Sequence, residues 1–358
     1  MKPVIVFDNI VYSLQKSGGI SAFWSNLTKR VEVSGLFDCR YVEYPGASDN
    51  IFRRELEIPL ERIVRGRHLP FGVERILEPL LPPDILKRPF LFHSSYYRTF
   101  THRNALNVVT FHDLTHEHGG DGNFLTRPLM RRQHENAIRN SRHIVCVSHC
   151  TLEDVKATFP KYADTPMSVA YNAPVNHEDK GMENIPVGDY LLFVGARDDY
   201  KNFRFAVALA ARCAMKLRVA GAPLTSAERR MIAALDADVN LHVFPDNVEM
   251  CRLYRGARAL VFMSEFEGFG IPIAEAQSLG CPVIGLRRSA VPEIAGEGAI
   301  LFDSLDMEKV CEAVKILADP EFRSRLKASG KENVLRFDWD RTAAHYIAVY
   351  HSLLTSRR

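Results

Sequence analysis

No apolar stretch in the 358 residues approaches the roughly 18–20 needed to cross a bilayer as a helix, which argues against a membrane-spanning segment. Charge of one sign is also lacking. Lysine and arginine (46) barely outnumber aspartate and glutamate (43), and a net +3 gives no bulk argument for nucleic acid. The seven cysteines, at Cys39, Cys146, Cys150, Cys213, Cys251, Cys281 and Cys311, are an odd number, and none forms a Cys-x-x-Cys pair. That excludes a disulfide framework and points to free thiols in a reducing compartment, hence a cytoplasmic protein. Neither an internal repeat nor a low-complexity segment is visible, and an ordinary composition excludes a collagen-like rod or a disordered tail. The opening Met-Lys-Pro-Val-Ile-Val-Phe reaches Asp8 after a short apolar run, so it reads as a buried first strand and not a signal peptide.

What the chain does have is alternation. Short apolar runs at Val4–Phe7, Phe90–His93, Asn107–Phe111, His143–Val147, Tyr190–Val194, Leu217–Ala220, Leu241–Phe244, Ala259–Met263 and Pro282–Gly285 read as strands. Between them lie amphipathic stretches such as Ser21–Val33, Pro128–Asn140, Leu152–Phe159, Phe203–Arg212 and Ile271–Leu279. Runs without polar alternation indicate strands covered on both faces, hence α/β architecture with parallel sheets. The length suits two domains. The clearest break is Tyr171–Asp189, with Pro174, Gly181, Pro186 and Gly188 among polar residues. We therefore expect an N-terminal domain over 1–178 and a second over 186–336, with the helix of 337–358 packing back on the first.

The segment Ile51–Arg88 breaks the rhythm. It carries Arg53, Arg54, Arg62, Arg65, Arg67, Arg75, Lys87 and Arg88 among aliphatic residues, a pattern that suits an anionic membrane surface. The interleaved Glu55, Glu57, Glu61, Glu74, Glu78 and Asp84 weaken that reading and favour a solvated helical excursion.

The richest chemical window is Ser264-Glu-Phe-Glu-Gly-Phe-Gly-Ile-Pro-Ile-Ala-Glu275. It follows an apolar strand and opens a helix, so it lies at a strand's carboxyl end, where open α/β sheets bind ligands. Gly268 and Gly270 let a ligand approach the backbone amides, and Pro272 suits a first helical turn. The N–H groups of such a turn favour an anion. Glu275 is placed to accept hydrogen bonds from two hydroxyls, as on a ribose. The competing account, a plain strand–turn–helix with a capping acid, leaves the second carboxylate and paired glycines unexplained. In Phe193-Val-Gly-Ala-Arg-Asp-Asp-Tyr-Lys-Asn202, a loop after another strand, Arg197 offers a planar fork and Lys201 a compact charge. The two suit a diphosphate. The bland alternative pairs these cations with Asp198 and Asp199 within the loop.

Glu267 and Glu275, with seven residues between them, resemble the Glu-x7-Glu signature of retaining glycosyltransferases of family 4. Ser17-Gly-Gly-Ile20, Val109-Thr-Phe-His-Asp-Leu114, Val145-Cys-Val-Ser148, Phe193–Arg197, Lys201-Asn202 and Leu253-Tyr-Arg-Gly-Ala257 agree with that family in order. The resemblance implies the GT-B architecture, two Rossmann-like domains facing across a cleft. It implies donor-phosphate binding by Lys201, and it places His112 near the transferred sugar. Gly18 and Gly19 would border the donor phosphates and the acceptor. Phe244, within His242–Val248, would lie beside the nucleotide base, there stacking or simply filling core.

Other features are weaker. Tyr96, Tyr97 and Arg98, leaving a strand end, would shape an acceptor surface or cap the strand. His112, His116 and His118 suggest a metal, but a four-residue spacing joins ligands only on a helix, and Gly119-Gly120 follow at once, so no metal is expected. Asp236-Ala-Asp238 and Asp338-Trp-Asp340 match a metal-binding Asp-x-Asp pattern without following an apolar strand. Gly268-Phe-Gly270 lacks the third glycine of a dinucleotide fingerprint, since Ile273 stands there.

The expectation is an enzyme that moves a hexose from a nucleoside-diphosphate sugar to a hydroxyl of a glycan or lipid-linked glycan, with retention and without a cofactor. The catalytic set is His112, Glu267, Lys201 and Arg197; the donor-binding set is Gly18, Gly19, Phe244, Gly268, Phe269, Gly270, Ile271 and Glu275. Similarity of the His93–Arg98 and Gly195–Asn202 segments to bacterial surface-polysaccharide mannosyltransferases favours GDP-mannose, with a UDP-sugar as the alternative. A lipid-linked acceptor would make the protein peripheral on the inner membrane face. The rival activities are a sugar-nucleotide epimerase and a non-catalytic sugar-binding module.

Overall fold

The computed structural model describes residues 2–67, 77–118, 127–175 and 185–356. The chain forms two compact units. The first comprises Met1–Glu117, Asn123–Asn172 and Asp338–Arg358, and the second is built on Ala173–Phe337. Gly181 and residue 178, both part of the expected boundary, lie outside the described residues, as do Glu74 and Arg75 of the basic segment.

Among the described residues unit 1 holds seven strands, β1 (Val4–Asp8), β2 (Asp38–Glu43), β3 (Ile63–Arg65), β4 (Phe90–Ser94), β5 (Ala105–Phe111), β6 (Ser141–Cys146) and β7 (Met167–Val169). They pair in parallel in the order β3-β2-β1-β4-β5-β6-β7. All five residues of β1 and all five of β4 are buried, as uninterrupted apolar runs require when helices cover both faces. The helix Gly19–Val33 buries Phe23, Trp24, Leu27 and Val31, a stripe at helical spacing, and the last helix, Trp339–Thr355, packs against it.

Unit 2 holds β8 (Tyr190–Val194), β9 (Lys216–Gly221), β10 (Val239–Val243), β11 (Ala259–Phe262), β12 (Val283–Leu286) and β13 (Ala299–Phe302). Their order is β10-β9-β8-β11-β12-β13, again all parallel. One core joins Leu191 and Phe193 of β8 to Ala206 and Val207 of the helix Phe203–Arg212 and to Val310 and Val314 of the helix Met307–Ile316. The chain is thus α/β with two Rossmann-like units, and each sheet reverses direction of growth at its first strand, β1 beside β4 and β8 beside β11.

Several expectations are corrected. Ile51–Arg88 is not a long helical excursion: its described part contains a one-turn helix at Ile51–Arg54, the strand β3 and another one-turn helix at Pro83–Leu86. Pro59, Pro79, Pro82 and Pro83 interrupt any helical ladder there, and Ile63-Val64 suit a strand edge. Arg98 shapes no open acceptor surface. Its side chain is 2% exposed and forms an ion pair with Asp8, which is fully buried. Nε of Arg98 donates to Asp8 Oδ2 at 2.8 Å, Nη2 meets both Asp8 Oδ1 and the Tyr44 hydroxyl, and Ser94 Oγ donates to the same carboxylate at 2.6 Å. The two Asp-x-Asp pairs have structural explanations: Asp338 caps the last helix by accepting from Arg341 N, Asp340 pairs with Arg30, and Asp236 occupies a turn at φ +47°. Among the described residues no helix is long and apolar enough to cross a membrane.

A second buried polar network ties the last helix to the sheet of unit 1. His93 Nδ1 lies 2.5 Å from the Tyr350 hydroxyl and Nε2 lies 3.0 Å from Thr110 Oγ1, which meets the Tyr346 hydroxyl at 2.8 Å.

Both tryptophans, Trp24 and Trp339, lie in unit 1, so intrinsic fluorescence follows that unit alone. Arg98→Leu strands the Asp8 charge and should destabilise unit 1 by about 3–5 kcal/mol. Asp8→Asn added to Arg98→Leu should recover part of that loss. Urea unfolding read by tryptophan fluorescence tests both expectations, and equal midpoints for Arg98→Leu and wild type would refute them.

Candidate functional site

Two of the side chains singled out in the second half of the sequence, Lys201 and Glu267, meet where β8 and β11 lie side by side. Crossovers leave these neighbours in opposite directions, which opens a crevice at their carboxyl ends. The loop after β8 carries Gly195, Arg197 and Lys201, and the loop after β11 carries Glu267 to Gly270. Lys201 Nζ lies 2.8 Å from Glu267 Oε1, with both side chains largely covered at 16% and 14% exposure. The two loops are also stitched through their backbones. Asn202, in the left-handed region at φ +53°, donates its side-chain amide to Met263 O at 2.8 Å, and Glu265 N donates to Tyr200 O at 2.9 Å. Ser289 Oγ donates to Glu267 O at 2.8 Å, holding the acidic loop from its other side.

Gly268, Phe269 and Gly270 are buried. The Phe269 ring packs edge-on against Phe337 at 5.1 Å, so its side chain serves the core and its backbone faces the loop's chemistry. Gly270 stands at φ +87° immediately before the helix Ile271–Ser278, a conformation that needs glycine and that aims the helix's first amides toward the strand ends. Glu275, one turn in, is 7% exposed and accepts the Tyr254 hydroxyl at 2.7 Å through Oε2. Burial, then the adjacent Glu275 charge, pushes the Tyr254 phenol well above its ordinary pKa, so it remains a donor.

Arg197 behaves differently from its expected role as an open fork. Its Nε donates to Glu228 Oε1 at 2.5 Å, and Nη2 donates to Pro223 O at 2.9 Å. The pairing within the loop with Asp198 or Asp199 is replaced by this longer-range ion pair. Phe244 is 62% exposed at φ +45°, which removes the core-filling reading. Its neighbour His242 is held by Glu249 through Nδ1 at 2.6 Å.

In unit 1, Gly18 and Gly19 open the helix Gly19–Val33 after β1, and a Cβ at Gly18 would lie 2.4 Å from Gln15 Oε1. His112 follows β5 directly, half-buried with its ring edge-on to Phe23 at 4.9 Å. Burial lowers its pKa to about 4 against a smaller opposing pull from Asp113, so the imidazole is neutral at physiological pH. His112 and the start of the Gly19–Val33 helix thus share the carboxyl-end edge of this sheet. Among the described residues no cluster of three or more potential metal ligands occurs.

Two partners escaped the sequence reading, Glu228 and Tyr254. The Thr225-x-x-Glu228 spacing is a helix-capping signal, and the structure forms that capping box, but its reach to Arg197 depends on the fold.

The chain resembles known proteins over both of its units. Residues 178–333 match the family described as Glycosyl transferases group 1. O-antigen chain mannosyltransferase B of Escherichia coli is 24% identical, over 99% of this chain and 100% of that protein. D-inositol 3-phosphate glycosyltransferase of Acidothermus cellulolyticus is 30% identical over 190 residues, 48% of this chain and only 42% of that protein's length. HepE of Anabaena, solved in complex with UDP, superposes with a TM-score of 0.72 at 15% identity, covering 98% of this chain and 100% of that one. The architecture is GT-B.

Two histidines of unit 1, the buried His93 and the half-buried His112, contribute a pH dependence. Burial lowers His93 to about 3, aided by His112, and His112 itself to about 4, both from the ordinary 6.5. As pH falls through 6.5 the unfolded chain takes up these protons first, so stability present above 6.5 is lost progressively toward pH 4 and below. Urea midpoints from tryptophan fluorescence should fall across this window. His93→Gln should flatten the slope; an unchanged slope would refute the assignment.

Proposed function

We propose that this chain, whose residues 178–333 match the group 1 glycosyl transferases, transfers a hexose from a nucleoside-diphosphate sugar to a hydroxyl of a glycan or lipid-linked glycan, with retention. Mannose from GDP-mannose is the favoured donor. The observation that carries this reading is the Lys201–Glu267 pair at the β8–β11 crevice, beside the glycine-flanked start of the helix Ile271–Ser278. An ammonium and a carboxylate in contact beside the first amides of a helix suit a diphosphate joined to a polyhydroxylated ring.

In this reading Lys201 meets the diphosphate and offsets the charge that grows on it as the glycosidic bond breaks, an effect larger in the transition state than in the ground state. Glu275 takes the ribose hydroxyls, with Tyr254 fixing its rotamer. The amides of Phe269 to Ile271 and the Glu267 carboxylate take the sugar. Neutral His112 is assigned a hydrogen bond to a sugar hydroxyl, and its lack of charge avoids opposing the positive character of the anomeric carbon. Gly18 and Gly19 leave the backbone open to the phosphates or acceptor. Retention follows from attack on the face the leaving group quits: the anomeric carbon–oxygen bond breaks, the acceptor oxygen bonds to that carbon, and its proton passes to the departing phosphate. The engagement of Glu267 by Lys201 favours this route over covalent capture by Glu267.

The full-length likeness to an Escherichia coli mannosyltransferase supports mannose, whereas the UDP complex of HepE supports a UDP-sugar as the second reading. Cytoplasmic residence, with contact at a membrane face when the acceptor is lipid-linked, belongs to the same proposal.

Thermal unfolding with GDP, GDP-mannose, UDP and UDP-glucose discriminates the donors. A ligand at 100 times its Kd should stabilise by about 2.7 kcal/mol. A shift with the guanine pair, lost in Lys201→Ala, is expected. A shift with the uracil pair alone would replace GDP-mannose, and no shift with any would overturn the donor site. Glu267→Gln should retain measurable turnover; complete loss in that variant, together with a glycosyl-enzyme trapped on Glu267 of the wild type, would establish covalent capture instead. Donor interconversion without an acceptor product would identify an epimerase.

A further inference from the structure

Arg197 and Glu228 stand outside the roles just assigned. Arg197 is 6% exposed and Glu228 17% exposed. The guanidinium is committed on three sides: Nε and Nη2 to the two Glu228 oxygens, Nη2 also to Pro223 O, and its carbon 5.7 Å from the centre of the Phe203 ring. The remaining nitrogen, Nη1, is buried without a hydrogen-bond partner. It packs beneath bare backbone, because a Cβ on Gly221 would lie 3.4 Å from it and 2.7 Å from Gly195 O. Glu228 is fixed just as firmly. Its carboxylate accepts Thr225 N at 2.6 Å, and Thr225 Oγ1 accepts Glu228 N at 3.2 Å, closing the cap of the helix Ser226–Ala234. Burial alone would raise the Glu228 pKa, but the hydrogen bonds from Arg197 and Thr225 lower it, so the pair is ionised on both sides.

We propose that Arg197 and Glu228 are a positioning pair, which braces the Gly195–Asn202 loop against the helix after β9 so that Lys201 alone presents its charge to the donor diphosphate. This rests on the donor-site reading above. The loop is clamped at both flanks: on the β9 side by Arg197–Glu228, and on the β11 side by Asn202 to Met263 O and by Tyr200 O to Glu265 N. Lys201 projects from between the two clamps. Freeing Arg197 to reach a phosphate would leave a largely covered Glu228 carboxylate without its counter-charge, a penalty that a diphosphate already engaged by Lys201 does not offset. Lys201 has no such constraint, since its ammonium keeps further N–H groups beyond the one given to Glu267.

The test is a pair of mutant cycles read by the Kd of GDP and of UDP. Arg197→Lys keeps the charge and loses the fork, and Glu228→Gln keeps an acceptor oxygen and loses the charge. Each is made in the wild-type background and in Lys201→Ala, with millimolar binding followed by ligand NMR and folding checked by Tm. If the pair acts through Lys201, each change should weaken the nucleotide about tenfold in wild type and cause no further loss in Lys201→Ala. A purely structural role would weaken binding equally in both backgrounds, as would direct contact between Arg197 and the diphosphate, and either result overturns the proposal. Unchanged or tighter binding by Glu228→Gln also overturns it. Failure of wild type to bind either nucleotide would instead refute the donor site itself.

Discussion

Parallel pairing is the constraint on which the rest of the structure depends. Every ladder in both sheets is parallel, so every strand must be followed by a crossover, and all strands of a sheet end on one edge. Loops that are distant in sequence therefore become neighbours. Lys201 and Glu267 lie 66 residues apart along the chain and meet because β8 and β11 are adjacent where the sheet changes its direction of growth. The order β10-β9-β8-β11 then sets the flanks of the site. β9 brings the helix bearing Glu228 to one side of the β8 loop, and β11 brings the acidic loop to the other.

Ionisable groups at these strand ends are held in pairs. Arg98 with Asp8, Arg197 with Glu228 and Lys201 with Glu267 are all largely covered, and none is left with an uncompensated charge. The three differ in how fully the cation is used. Arg98 and Arg197 spend planar forks on more than one acceptor and are enclosed, which suits rigid scaffolding. Lys201 is a point charge with one partner in the pair and more exposure than either arginine, the arrangement of a group that can accept a new anion.

Much of the fold was legible because central parallel strands carry unbroken apolar runs. β1, β4, β8 and β11 follow the runs at Val4, Phe90, Tyr190 and Ala259 within a residue or two. The strands that escaped were β2, β3, β7 and β13. β2 mixes Asp38, Arg40 and Glu43 into its length, β3 and β7 are three-residue edges, and β13 is only half-buried, so none presents a continuous apolar signal. The glutamate window and Lys201 were visible because local spacing carries their chemistry. The orientation of Arg197 and the burial of Arg98 were not, since Glu228 and Asp8 lie 31 and 90 residues away and only folding brings them near. Prolines at 59, 70, 79, 82 and 83 gave the one local warning against a helix in the basic segment, and charge patterning obscured it.

The last helix has a consequence for the order in which the protein acquires its structure. Unit 1 uses Trp339, Tyr346 and Tyr350 as buried residues, and Tyr350 supplies the partner of His93 on β4. These residues leave the ribosome after the whole of Ala173–Phe337, a continuous stretch that contains every strand of unit 2. The half made first must therefore wait, with part of its core uncovered, while the half made later can close as soon as its own strands emerge. During synthesis the first unit, not the second, is the one exposed to chaperones and proteases.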